Sequence, residues 1–313
     1  MATIAKLPTE VYETHRSLIW ALCYRMTGNS ADADDLVQET FIRALENPPA
    51  RLDEPLRPWL VRVAINLSRD HLRRRRRHHY TGPWLPSPIS TEDLESPASY
   101  EPITSPEESP MARYDMLESI SFAFLVALEA LTPLQRAVLL LRDVFDYSTS
   151  ETAAALGVSE TNVKVTLLRA RRTMYDYDKS RVPLKVTRQE LTQRALEQFL
   201  YCINSHDVEG LKRLLAEDVI NMSDGGGKVA AALLPIYGRD RVVRLIMGLS
   251  AKYEDDLQIR LCSLNGLPAI IGEHERVWKK RAPRWTLQLE VDQHGRIYRI
   301  YSVLAPEKLS ALP

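Results

Sequence analysis

The sequence predicts a multi-domain chain: two all-helical domains followed by a C-terminal α+β domain. Three observations carry this. Apolar residues recur at helical spacing through the first 80 residues and again from about 113 to 180. A stretch rich in proline, serine and acid separates those two blocks. Beyond residue 188, helical stretches give way to a series of strand-like runs. At 313 residues the chain has room for two or three domains.

Composition narrows the class. With 45% hydrophobic residues, the chain is an ordinary globular protein and neither disordered nor collagen-like. No run approaches the ~18 apolar residues of a membrane span. The start, Met1 to Lys6, runs into Pro8 without a signal-peptide core. Cys23, Cys202 and Cys262 stand far apart, in no disulfide or zinc-binding pattern. The expectation is a cytoplasmic protein with no cofactor, no metal and no membrane contact. The 41 basic and 41 acidic residues cancel, but they are segregated. Arg69 to His79 include the run Arg73 to Arg77, whereas 81–110 hold six acids, no basic residue, seven prolines and six serines. Such a basic block is a local electrostatic footprint or a solvated helix end.

The first domain, 1–80, reads as three helices. Leu18, Ile19, Leu22 and Met26 mark the first, and Leu36, Val37, Phe41, Ile42 and Leu45 the second. Gly28 between them can end one helix and Ser30 can cap the next, with Asp32, Asp34 and Asp35 at its dipole-positive start. A proline-containing loop (47–58) leads to a third helix through Trp59, Leu60, Val63, Ile65, Leu67 and Leu72, ending in the arginines. Residues 81–112 read as an extended linker. Its Trp84-Leu85-Pro86 patch has no use in a free tether, so it docks on a folded domain or clusters with Tyr80.

The second domain, 113–180, places Phe124, Leu125, Leu128 and Leu131 on one stripe, then opens a new helix at Thr132-Pro133. Ser148 with Glu151 forms a capping box, Gly157 permits a tight turn, and Ser159 caps a second short helix carrying Val163 and Leu167. Ala153 and Ala154 would let the two cross closely, which is the helix-turn-helix pattern. Thr161, Asn162, Lys164, Val165 and Leu168 then face base edges, while Arg169, Arg171 and Arg172 clamp phosphates. Lys164 is the natural donor to guanine. A plain helical hairpin with a basic face is the alternative.

The third domain, 188–313, begins with helices at 188–204 and 207–217, then Val219 to Met222 and Asp224-Gly-Gly-Gly-Lys228. A helix at 239–252 precedes strand-like runs near 257–264, 268–279 and 284–292, with a turn at Asp292 to Gly295 into Ile297 to Val303. An antiparallel curved sheet packed with helices is expected.

These motifs together carry a family resemblance. Asp34-Asp-Leu-Val-Gln-Glu-Thr-Phe41, Arg57 to Leu72 and the helix-turn-helix resemble the two conserved domains of extracytoplasmic-function sigma factors. The resemblance implies an initiation subunit that takes RNA polymerase core enzyme to promoter DNA. It implies that Asp34, Asp35, Gln38 and Glu39 bind the clamp helices of the largest core subunit, with the flap as a further contact. It also implies that Asn66, Arg69 and Asp70 read the minus-ten element. Asn66 can satisfy a flipped base, walled by loop 47–58, while Arg73, Arg74 and the arginines after them hold phosphates.

The third domain resembles the SnoaL-like branch of the NTF2-like cone folds, which a subset of these sigma factors carries. The accompanying motifs read here Trp84-Leu85-Pro86, Asp224-Gly225-Gly226-Gly227-Lys228 and Ala305-Pro306-Glu307-Lys308-Leu309. The last departs from an Asn-Pro-Asp-Lys-Leu-like pattern at its first and third positions. Regulation in cis, through intramolecular contact with the linker and the sigma domains, is implied. Asp224, Tyr237, His274 and Glu275 could serve an isomerase-like site only if they converged on a cavity. A one-component DNA-binding regulator with a SnoaL-type ligand-binding or enzymatic domain is the alternative function.

Overall fold

Helical periodicity in the first block becomes α1 (Thr9–Thr27), α2 (Ser30–Glu46) and α3 (Leu56–Arg75). The computed structural model describes residues 9–47, 56–75, 80–92, 113–180, 186–253, 257–276 and 280–313. The expectations for 48–55, Arg76, Arg77, 93–112 and 277–279 lie outside the described residues. Two details differ from the sequence reading. Asn29, not Ser30, caps α2: its extended backbone lets the carboxamide oxygen accept from Asp32 N at 3.2 Å, while Ser30 is already helical and buried. Ile42 and Leu45 are not core; they are 48% and 41% exposed, on the side of α2 turned away from Leu36, Val37 and Phe41.

The second block contains α4 (Phe122–Leu128), α5 (Pro133–Asp143), α6 (Thr149–Leu156), α7 (Glu160–Thr173) and α8 (Tyr175–Ser180). Reciprocal capping boxes start α5 (Thr132 with Gln135) and α6 (Ser148 with Glu151). Gly157 sits at φ 64°, the left-handed conformation that turns the chain from α6 into α7. Ala153 is buried as expected, but Ala154 points outward and Ala155 is buried in its place.

By contacts, the described residues fall into two units, one drawn from 1–78, 94–120 and 124–180, the other from 79–93, 121–123 and 181–313. The two helical blocks thus pack together, and buried arginines hold them. Arg25, fully buried, donates to Ser119 Oγ (2.7 Å) and to the Met116 carbonyl (3.0 Å) and lies over the Phe145 ring. Arg136 donates to the carbonyls of Met26 and Leu128 and to Glu129. Arg75 forks onto the same Glu129 at 2.6 and 2.8 Å and reaches the Thr27 carbonyl at 2.7 Å. One carboxylate therefore serves two guanidinium groups, and main-chain carbonyls take up a further donor of each.

The second unit carries α9 (Val186–Asn204), α10 (Val208–Leu214), β1 (Leu215–Asp224), β2 (Ile236–Tyr237), α11 (Arg239–Tyr253), β3 (Leu257–Leu264), β4 (Leu267–His274), β5 (Arg284–Val291), β6 (Ile297–Val303) and α12 (Pro306–Leu309). Strand order in the six-stranded sheet is β2-β1-β6-β5-β4-β3. The expected all-antiparallel sheet is in fact mixed, because β1 pairs parallel with β6. The helix expected to 217 ends at Leu214, where Leu215 turns extended and enters that pair. Leu196, Phe199, Leu211, Val219, Ile270, Leu289 and Ile300 fill the space between helices and sheet. These side chains are 0–1% exposed.

Burial alone raises the pKa of Glu129, but Arg136 and Arg75 outweigh it and hold the carboxyl below its ordinary 4.5. A depressed folded-state value gives stabilisation that is fully present above the unfolded-state value and lost as pH falls through the folded one. Acid titration of the parent, followed by far-UV circular dichroism, should lose helical stability below about pH 4.5. Glu129→Gln should flatten part of that loss; superimposable profiles would show that the contact contributes nothing.

Candidate nucleic-acid interface and linker-docking site

The residues expected to read the minus-ten element share the outer side of α3. Asn66 and Arg69 are half-buried and Asp70 is exposed. Arg69 Nη1 donates to Asn66 Oδ1 at 3.2 Å, which fixes the amide and leaves its nitrogen as the outward donor. Arg69 Nε is buried with no partner, and burial followed by the nearby Arg73 charge lowers the pKa of this guanidinium. A cation in that position gains from an arriving anion. Arg73 pairs with Asp70 at 2.7 Å and Arg74 is exposed beside it, so both can exchange to phosphate at the surface. Trp59 is half-buried beside the fully buried Leu60 and Val61.

On α2, Asp35 and Gln38 are exposed, and with Ile42 and Leu45 they fall at positions i, i+3, i+7 and i+10 of one face. Asp34 is tied inward by Trp20 Nε1 at 2.9 Å, and Glu39 pairs with Arg43 at 2.8 Å. The exposed apolar pair beside the acids was readable as helical spacing but not as a surface. Periodicity alone does not say which face has a partner.

In the helix-turn-helix, α6 and α7 are joined through the left-handed Gly157. Thr161, Asn162, Lys164, Arg169 and Arg172 are exposed, Val165 is 42% and Leu168 63% exposed, and Val163, Thr166 and Ala170 face inward. Arg171 behaves differently. Its Nε and Nη2 donate to Asp143 Oδ2 and Oδ1 at 2.9 and 2.6 Å, and that carboxylate is buried.

The second assembly is the docked linker. Asp224, at the end of β1, is fully buried and its Oδ2 accepts from Lys308 Nζ (2.7 Å) and the Leu85 backbone N–H (2.8 Å). Its Oδ1 accepts from the Tyr80 hydroxyl (2.6 Å) and Gly226 N–H (3.0 Å). Lys308 also donates to the Leu85 carbonyl at 2.6 Å and lies 4.7 and 4.4 Å from the Tyr80 and Trp84 ring centroids. Both backbone groups of Leu85 are thus claimed by one ion pair, and two aromatic faces complete the cation's surroundings.

The glycine run allows this approach. Gly226 has φ 59°, and a Cβ there would stand 2.8 Å from Glu307 Oε1 and 3.2 Å from the Ala305 Cβ. Glu307 in turn pairs with Lys228 at 3.2 Å. Leu309 is buried, Pro86 is buried behind Leu85, and Ala305 starts α12 without a side-chain cap. The Pro306–Leu309 segment packs into the domain through its buried Lys308 and Leu309.

Sequence reasoning missed the continuation of the dock. Ser90 bridges Leu264 antiparallel on the β3 edge, with Thr91 N to Ser263 O at 2.9 Å and Asn265 N to Ile89 O at 3.0 Å. The Ile-Ser-Thr run was a weak strand signal inside a proline-rich context. The four candidate catalytic groups do not come together among the described residues. Asp224 is spent on Lys308, Tyr237 lies opposite Ile220, His274 contacts Arg281 and Trp285, and Glu275 accepts from Gln258.

Residues 11–78 match Sigma-70 region 2 and residues 121–174 match Sigma-70 region 4. The chain is 30% identical to the ECF RNA polymerase sigma factor SigJ of Mycobacterium tuberculosis, over 96% of this chain and 93% of that one. It is 35% identical to SigG of the same organism over 66% of this chain and 59% of that one. The crystal structure of SigJ superposes with a TM-score of 0.74 at 26% identity, covering 97% of this chain and 99% of that one. No described helix is long and apolar enough to cross a membrane.

Removing one member of a buried ion pair costs roughly 3–5 kcal/mol when the other is stranded. Asp224→Ala strands Lys308 and should cost about that much in urea unfolding followed by tryptophan fluorescence. Lys308→Met leaves Asp224 with three donors and should cost clearly less. Equal costs for both would contradict the network described.

Proposed function

The chain belongs to the extracytoplasmic-function family of RNA polymerase sigma factors, and we propose that its NTF2-like domain governs its activity in cis by holding the linker. As a sigma factor it binds RNA polymerase core enzyme and promoter DNA and directs promoter-specific initiation. The finer assignments are our reading. The α2 face of Asp35, Gln38, Ile42 and Leu45, flanked by Asp34 and Glu39, meets the core clamp helices through mixed acidic and apolar contact. Asn66 captures a flipped minus-ten base, with Arg69, Arg73 and Arg74 on phosphates. Lys164, Val165 and Leu168 face the minus-thirty-five major groove, where apolar side chains suit thymine methyl groups. The protein works in the cytoplasm and performs no catalysis of its own.

The observation that carries cis control is the claim of one buried ion pair on both backbone groups of Leu85. Leu85 lies in the segment that joins region 2 to region 4. A docked linker of this kind restricts where the two regions can go, and an intramolecular contact acts at an effective concentration of the order of millimolar. In addition, Arg75 cannot hold Glu129 and a phosphate at once, so promoter binding competes with the closed helical unit.

Addition to purified core polymerase tests the central reading: the protein should support initiation at a promoter without another sigma factor, and failure would favour a one-component regulator. Asn66→Ala should reduce open-complex formation by about tenfold or more while leaving core binding intact. Lys164→Ala should narrow the gap between cognate and substituted minus-thirty-five sequences.

Trp84→Ala removes one aromatic face from Lys308 and should alter transcription in the same assay at unchanged secondary structure. Wild-type activity in this variant and in one lacking 186–313 would make the C-terminal domain a passenger.

A further inference from the structure

The recognition helix has an unusually light apolar grip on its domain. Its inward side chains are Val163, Thr166, half-buried Leu167 and Ala170, and Thr166 turns its hydroxyl to Asn162 Oδ1 at 2.9 Å. Small side chains set a spacing between helices but leave rotation about the helix axis weakly determined. A planar guanidinium gripping a carboxylate with two parallel hydrogen bonds does determine rotation. Arg171 and Asp143 make that grip, at 2.9 and 2.6 Å, between α7 and the last residue of α5.

The position of Asp143 strengthens the point. A carboxylate in the last turn of a helix opposes the helix dipole, and a buried one also loses its hydration. Asp143 is fully buried there, and its main-chain carbonyl is occupied by Tyr114 N–H at 3.0 Å. Fold stability alone would favour an apolar residue at this site, since replacing a buried ion pair by apolar groups is often neutral or stabilising.

We infer that Asp143 is a positioning residue for promoter recognition: through Arg171 it fixes the roll of α7, so that Lys164, Val165 and Leu168 face the bases. Arg171 is then not a phosphate clamp, and Arg169 and Arg172 supply that role. This rests on α7 being the minus-thirty-five reader. A base contact fails when its side chain is turned away even if affinity for the backbone persists, so the predicted loss is in discrimination.

The test uses holoenzyme and a promoter fragment selected by the wild-type holoenzyme from a randomised pool, with a copy altered at minus-thirty-five. Asp143→Asn and Arg171→Lys should each lower the cognate-to-altered affinity ratio about tenfold. The double variant should be no worse than either single one, because both act through one contact. The slope of log affinity against log salt should stay unchanged in Arg171→Lys and in Arg171→Met. If Arg171 were a phosphate contact, Arg171→Met would reduce the slope by about 0.9 and Arg171→Lys would keep full discrimination; that pattern overturns the inference. Should Asp143→Asn fold poorly, the two Arg171 variants still decide. Lys164→Ala separates the premises: if it changes discrimination and Arg171→Lys does not, the positioning role fails alone. If Lys164→Ala changes nothing, the reading of α7 itself fails.

Discussion

A carboxylate taken out of water must be given back everything water supplied, and in the C-terminal unit Asp224 imposes that demand on its surroundings. It has four donors from three segments of the chain: Tyr80 and Leu85 of the linker, Gly226 of the glycine run and Lys308 of α12. Each donor drags its own segment into position. The glycine run is open because Gly226 must bring its N–H close, α12 is held because Lys308 must be buried, and the linker is ordered because Leu85 supplies both a donor and an acceptor. Apolar packing around Leu85 would give adhesion without register. A buried charge with four directed donors gives both.

The helical unit follows the same logic with the sign reversed. Arg25 and Arg136 are buried cations that each reach a carbonyl on the other helical block, Met116 and Met26, and Glu129 is shared between Arg136 and Arg75. Main-chain carbonyls at Met26, Thr27 and Met116 complete the set. Contacts of this type are specific in geometry yet modest in net free energy, because desolvation offsets much of the attraction. They suit the proposed exchange in which promoter phosphate draws Arg75 away from Glu129. A seam of leucines would be harder to part.

Local rules were legible and partner choice was not. The capping boxes at Thr132 and Ser148, the left-handed Gly157 and the buried stripe of Phe124, Leu125, Leu128 and Leu131 follow from propensity and period, which act over a few residues. Trp84 and Leu85 were recognisable as a dock because an apolar pair is out of place in an acidic linker. Spacing along the chain says nothing of partners 139 and 223 residues away. For the same reason Arg171 read as one more arginine in a basic run. Its distinction is an acid 28 positions earlier, buried where an acid is unfavourable. Parallel pairing of β1 with β6 was likewise invisible, since alternation fixes a strand's faces but not the direction of its neighbour.

The short bridge between Ser90 and Leu264 has a consequence for solubility. β3 is the last strand of the sheet, and Ile259 and Leu261 on it are 43% and 48% exposed. An outer strand with unpaired amides and aliphatic side chains is a template for intermolecular pairing, and nature usually blunts it with a charge, a proline or a cover. Here Arg260 provides the charge and the linker provides the cover at one end. Lifting the linker away would therefore lengthen the open border of β3 by its Ser263 to Asn265 end. A state with the linker released would carry a longer open edge and a greater tendency to self-association.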